Sequence, residues 1–353
     1  MLVVSVVGAR PQFIKAAAVS PHLRRMGTEI LVHTGQHYDF EMSEIFFKGM
    51  DLPAPDYNLG VGSGTHAQQT ARILLRIEKL LKRLRPGLVL VYGDTNSTLG
   101  GAVAAAKLHI PVAHVEAGAR SFNREMPEEI NRVIADHVSD LLFCSTERTV
   151  RNLEAEGISA GVHRVGDVML DTALRYGRMD PSILEDLGLG KGGYILLTCH
   201  RPSNTDVKEN LRAILSAMEG YNTIFPAHPR TRKYMRRFRL EPPEGMRIIE
   251  PVGYVEMLAL IKNARVLVTD SGGAQKEAYF FKVPCITLRK ETEWAETVED
   301  GWNVLVGAHK EKIREALACF KPRGRRRKHY GDGRAGERIA RIVMNYTSAT
   351  RDR

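Results

Sequence analysis

Two glycine-containing turns in this 353-residue chain have residue types and spacings suited to binding phosphate. One is Asp270-Ser271-Gly272-Gly273, which closes the apolar run ARVLVTD and opens a helix-like segment. Glycines let a ligand approach the backbone, and the first N–H groups of a helix have no partner within it. The helix dipole adds positive potential, so the turn suits a diphosphate. Ser271 can donate a further hydrogen bond, and Glu277, less than two turns on, can accept from a ribose diol. The plainer reading is a tight strand-to-helix turn with a serine N-cap. The other turn is GARPQFIKAA, after the first apolar run. Arg10 and Lys15 flank a proline that suits a first helical turn, and two cations at a strand's carboxyl end can clamp phosphates. The alternative there is an ordinary exposed helix start. GxGxxG and Walker A spacings are absent, which argues against an NAD fingerprint and a P-loop NTPase.

Acids gather in the first half. Asp94 follows the run LVLVYG, and Glu116 follows PVAHV. Glu128 begins a helix after Pro127, with Arg132 one turn on. The bland readings are an i,i+4 ion pair worth a few tenths of a kcal/mol for Glu128–Arg132, and a loop acid for Glu116. Three acids facing a cationic phosphate site suit proton transfer next to a phosphate leaving group. His200 ends the run YILLTC and adjoins Arg201, while Cys199 points to the opposite face of that strand, into the core. His228 in FPAHPRTRKY and His37 in HTGQHYD take supporting places.

The elements that must carry these residues are short β-branched runs alternating with helical periodicity. The pattern predicts parallel α/β sheets with helices on both faces. It pauses over residues 178–193, RMDPSILEDLGLGKGG, and restarts with YILLTCH. The reading is two domains in tandem, 1–177 carrying the carboxylates and 178–333 carrying the diphosphate-suited turn, with a cleft between their strand carboxyl ends. A final helix near 334–347, within the tail 334–353, is expected to pack back on the first domain.

Bulk composition agrees. Hydrophobic residues make up 43% and charged residues 26%, ordinary values for a globular protein. No run reaches the roughly 18–20 apolar residues of a membrane span, and the start MLVVSVVGARPQF reads as a strand, not a signal peptide. Cys144, Cys199, Cys285 and Cys319 form no CxxC pair, which fits reduced, buried thiols in a cytoplasm. The net charge of +10 fits either nucleic acid or a polyanionic small molecule. The run KPRGRRRKHYGDGR reads as a solvated surface, and no aromatic-interleaved platform accompanies it, so nucleic acid is the weaker reading.

The chain resembles the non-hydrolysing UDP-N-acetylglucosamine 2-epimerases along nearly its whole length. The segments that carry the likeness are GARPQFIKAA, TGQHYD, GDTNSTLGGAVAAAKLHIPVAHVEAGARSF, MPEEINRVIADH, HRVGD, CHRPSNTD, TDSGGAQKEA, ETEWAETVEDGWNVLVG and YGDGRAGERI. The resemblance implies two Rossmann-like domains in the glycosyltransferase-B arrangement, usually as a dimer, and an isomerase that uses neither metal nor NAD. It makes Asp94, Glu116 and Glu128 the essential carboxylates and His200 the cleft histidine. Arg10, Lys15, Ser271, Gly272, Gly273 and Glu277 become UDP contacts, with Arg132 close to the acids. The implied reaction is anti elimination of UDP to 2-acetamidoglucal, then syn re-addition that gives the C2 epimer. Which acid is the base is left open.

Three departures from the family pattern stand out. Trp294 in ETEWAET replaces an arginine of many bacterial members, with Arg289 as the substitute cation. Ser203 in HRPSN replaces a glutamate. GQHYDFEMSEIFF lacks the glutamines that some bacterial members use for allosteric substrate binding, so weak or no such activation is expected. HYD, ETEW and GWN also occur in relatives acting on UDP-2,3-diacetamido-2,3-dideoxy-glucuronate, the nearest competing substrate. Other readings are a retaining UDP-sugar glycosyltransferase, a hydrolysing relative, and a basic nucleotide- or nucleic-acid-binding module. The last has no use for Asp94, Glu116 and Glu128.

Overall fold

The computed structural model describes residues 1–36, 50, 52–179 and 181–346. His37 and most of the GQHYDFEMSEIFF segment lie outside the described residues. The chain divides into two compact units, one from Met1–Leu174 with Lys328–Arg353, the other Arg175–Arg327. Among the described residues no helix is long and apolar enough to cross a membrane.

The first unit is built on seven strands: Leu2–Val7 (β1), Thr28–His33 (β2), Tyr57–Asn58 (β3), Leu88–Tyr92 (β4), Val112–Ala117 (β5), Leu141–Cys144 (β6) and Val162–Arg164 (β7). Their order is β3-β2-β1-β4-β5-β6-β7, with every pairing parallel. The second unit has Ile195–Thr198 (β8), Thr223–Pro226 (β9), Met246–Ile249 (β10), Val266–Thr269 (β11), Cys285–Thr287 (β12) and Asn303–Leu305 (β13). These also pair in parallel, in the order β10-β9-β8-β11-β12-β13. Runs such as LVLVY are apolar at every position because helices cover both sheet faces, and β4 is buried throughout. The expected α/β class therefore holds in each unit. The sequence reading missed β3, β7 and β13, edge strands of two or three residues, too short to show a period.

In the first unit the helix Ala335–Asn345 packs on the helix Arg10–Met26. Gly336 makes this close approach possible: a Cβ there would lie 2.0 Å from the Ala18 carbonyl oxygen. Asp171 accepts the Gly336 N–H at 2.7 Å. Burial pushes the Asp171 carboxyl up to about 6, against the opposing backbone hydrogen bonds from Gly336 and Ala335. The folded chain thus binds the Asp171 proton more tightly than the unfolded chain. The burial penalty is fully present above pH about 6 and is relieved as pH falls towards 4. Asp171→Asn, which keeps an oxygen for Gly336, is expected to raise stability at pH 7.5 by about 1 kcal/mol or more. Urea denaturation should show that gain shrinking towards pH 4.

The thiols need one correction. Cys144, Cys199 and Cys285 are buried, as expected, but Cys319 is exposed near the end of helix Lys310–Cys319. That helix turns only one strip of its surface, with Ile313, into the core. Burial raises the Cys144 and Cys285 thiols to about 12 each, which makes them inert.

Candidate functional site

In an open parallel sheet, polar function collects where the strand order reverses, because neighbouring loops diverge there. In the first unit that point lies between β1 and β4. β1 leads into the helix that Arg10 opens, and β4 leads into Gly93 and Asp94. Arg10 is half-buried, but Lys15 is not on an exposed helix start: it is 5% exposed and reaches the Glu116 carboxylate at 2.5 Å. Gly93 has φ +61, and a Cβ there would sit 2.7 Å from Lys15 Nζ and 3.7 Å from Glu116 Oε1. The glycine is therefore needed both for its conformation and for the space.

Glu116 itself has φ +73, at a register shift between Val115 and Ala117 where β5 pairs β6. Such a bulge re-aims a side chain, and a non-glycine residue held there costs about 1–3 kcal/mol. Asp94 pairs with Arg132, whose other arm donates to Glu129 at 2.9 Å. Glu129 also takes the N–H groups of Ser121 and Phe122, so the i,i+3 neighbour, not read from the sequence, is the acid that seats Arg132. Asn131 donates to the Asp94 carbonyl at 2.9 Å. Glu128, in the first turn of helix Pro127–His137, is half-exposed. The structure thus joins Lys15 with Glu116 and Arg132 with Asp94, on neighbouring strand ends.

Behind them lies a row that the sequence reading passed over, with His114, Asp136 and Arg120 buried and Glu156 exposed at its end. His114 Nδ1 is 2.7 Å from Asp136 Oδ1, and its Nε2 is 2.7 Å from the Gly93 carbonyl. Asp136 Oδ2 accepts from Gly118 N–H and Arg120, and Arg120 makes a two-pronged pair with Glu156. Burial alone would raise the Asp136 carboxyl; attraction and a hydrogen bond from His114, then Arg120, outweigh it and hold the group below its usual range.

In the second unit the reversal falls between β8 and β11. β8 leads to His200 and β11 to Asp270 and Ser271. Ser271 caps the helix Gly272–Phe281, accepting from Ala274 N–H at 3.4 Å, so the plain N-cap reading is true alongside any ligand role. Gly272 and Gly273 are ordinary helical residues, half-buried; they offer open backbone. Glu277 is buried at 4% exposure. Asp270, fully buried, is the hub that sequence reasoning missed. It accepts the backbone N–H groups of His200 and Arg201 and the Asn204 amide, and His200 Nδ1 lies 3.2 Å from it. Its position as the last residue before the serine was the available signal. His228 caps helix Pro229–Phe238, and its ring lies 6.4 Å from that of His200.

Arg289 is 6% exposed and makes a two-pronged pair with Glu293. Trp294 is buried, with Lys276 Nζ 3.8 Å from its ring centroid and its Nε1 3.4 Å from where a Gly272 Cβ would stand. The tryptophan thus floors the helix start. Ser203 is exposed, and its carbonyl accepts from Asn210.

Two parallel sheets of Rossmann order, each with polar side chains at its reversal point, place the chain among the tandem Rossmann-like α/β proteins that include the glycosyltransferase-B enzymes. A family model described as UDP-N-acetylglucosamine 2-epimerase matches residues 22–344. The chain belongs to this family of isomerases. A Methanococcus maripaludis protein named UDP-N-acetylglucosamine 2-epimerase homolog is 52% identical, with 98% of this chain and 100% of that protein covered. The UDP-2,3-diacetamido-2,3-dideoxy-D-glucuronate 2-epimerase of Pseudomonas aeruginosa is 47% identical, covering 97% and 99%. The crystal structure of Methanocaldococcus jannaschii UDP-GlcNAc 2-epimerase in complex with UDP-GlcNAc and UDP matches with a TM-score of 0.92 and 43% identity, over 98% of this chain and 100% of that one.

Proposed function

We propose that the protein interconverts UDP-N-acetylglucosamine and UDP-N-acetylmannosamine for surface polysaccharide precursor synthesis. A base removes the C2 proton as the C1–O bond to UDP breaks, leaving 2-acetamidoglucal and UDP. A proton then enters the opposite face of C2 while UDP re-adds at C1, so nothing is consumed. Asp94, Glu116 and Glu128 handle the C2 proton. Lys15 supplies charge beside Glu116, and Arg132 supplies it beside Asp94. Ser271, Gly272 and Gly273 receive the diphosphate at the helix start, where unpaired N–H groups stabilise the leaving charge. Arg10 adds a cation, Glu277 meets the ribose and His200 attends the leaving group. Arg289, held by Glu293 with its Nη1 4.0 Å from where a Gly272 Cβ would stand, contacts the UDP-sugar as the substitute cation. The observation that carries this reading is the pairing Lys15–Glu116 beside Arg132–Asp94 at one reversal point.

Incubation with UDP-N-acetylglucosamine in D2O, followed by NMR, tests it. A second UDP-sugar with deuterium at C2 is expected. Free sugar plus UDP would instead mark a hydrolase, and no C2 exchange would mark a glycosyltransferase or a binding module. The 47% identity to an epimerase of UDP-2,3-diacetamido-2,3-dideoxy-D-glucuronate favours that uronate as a second reading. Comparing kcat/KM for the two sugars decides between them.

A homodimer is part of the proposal. Phe122 is 76% exposed with φ +57, and Ile130 and Ile134 stand one turn apart on the outside of helix Pro127–His137. Such apolar side chains suit a second copy, and sedimentation will show whether one binds. Cytoplasmic residence follows from a nucleotide-sugar substrate. Ser271→Ala is expected to cost about 0.5–1 kcal/mol through the lost cap, read by urea denaturation, and to weaken UDP binding several-fold.

A further inference from the structure

Two strand ends carry the acids of the first unit, and one buried histidine joins them. His114 stands in the middle of β5 and is fully buried. On one side it meets the carbonyl of Gly93, the residue before Asp94. On the other it meets Asp136, whose second oxygen holds Gly118 N–H at 3.1 Å, two residues after Glu116. Through these two contacts one ring bridges both strand ends. Asp136 in turn pairs with Arg120, and Arg120 with Glu156 at the surface. The buried Asp136–Arg120 pair persists because each charge has a partner.

We propose that His114 and Asp136 are a positioning pair that fixes the Gly93–Asp94 and Glu116–Gly118 strand ends in one relative placement. The proposal rests on the reading of Asp94 and Glu116 as the groups that move the C2 proton. Neither member of the pair touches the substrate. Glu116 sits in a backbone conformation that survives only where its surroundings over-determine it. Gly93 N–H to the Val115 carbonyl, at 2.9 Å, and Asp136 to Gly118 N–H are the two ties that bracket it. Loosening them lets the carboxylate shift, and a misplacement of about 1 Å can cost about a hundredfold in rate.

Two measurements on the full chain test the pair. The first is 15N NMR of the wild-type histidine rings at pH 7.5. It should show a slowly exchanging N–H on His114 Nε2, the atom that faces the Gly93 carbonyl; an Nε2 without a proton would overturn the bridge. The second compares His114→Gln, Asp136→Asn and the double variant. Each single change should lower kcat by about 10- to 100-fold, with KM changed less than about threefold and UDP affinity within about twofold. The double variant should be no worse than the poorer single one, because the two act as one unit. An unchanged kcat, or losses that multiply, would overturn the proposal. Should the variants fail to fold, the NMR result decides. Should the wild type exchange C2 hydrogen in neither sugar, the epimerase reading falls instead, and the ring protonation still reports on the bridge.

Discussion

Glu116→Gln is expected to lower turnover by at least about a hundredfold while UDP binding persists. The amide keeps the shape and can still accept from Lys15, so the strand end should hold its place. It can no longer take or return a proton, and acid–base groups contribute about 10²–10⁴-fold. UDP belongs to the turn at Ser271 in this account, so its affinity should be unchanged within about twofold. Asp94→Asn should behave alike, since Arg132 would keep a partner in Glu129. Calorimetry with UDP beside the turnover assay checks both. Either variant retaining full activity would remove that residue from the chemistry.

Asp270→Ala should have a comparably large effect by a different route. The carboxylate holds the backbone N–H groups of His200 and Arg201, the Asn204 amide and a contact to His200 Nδ1, all from a fully buried position. Removing it strands several donors, each costing about 1–3 kcal/mol when buried and unpaired. A net loss of about 3–5 kcal/mol is expected, in the range for breaking a buried charged network. The turns carrying His200 and Ser271 would lose their common anchor, so UDP affinity should fall more than tenfold. Urea denaturation and calorimetry measure the two effects. Wild-type stability in this variant would show that the hub does not hold the site.

The sequence made the strand ends that carry the site readable because β1, β4, β8 and β11 are apolar runs that stop at polar or glycine residues, while the strand order came only with the structure. What it hid has a physical reason in each case. β3, β7 and β13 are two- or three-residue edges without a period. Glu129 and Glu128 are adjacent acids at workable spacings from Arg132, and only the turn at Ser121 and Phe122 shows which one holds it. His114 and Asp136 are 22 residues apart, on a strand and the following helix, and read separately as a strand histidine and a helix acid. Lys15 read as a phosphate clamp or an exposed helix start, and its pairing with Glu116 was hidden by the 101 residues between them.

The most direct test is a crystal structure with UDP and the preferred UDP-sugar bound. The account predicts the diphosphate at the N–H groups of Gly272 and Gly273, with Asp94 or Glu116 within about 3.5 Å of the hexose C2, the distance of a near-attack geometry. A diphosphate seated elsewhere, or carboxylates turned away from C2, would contradict it.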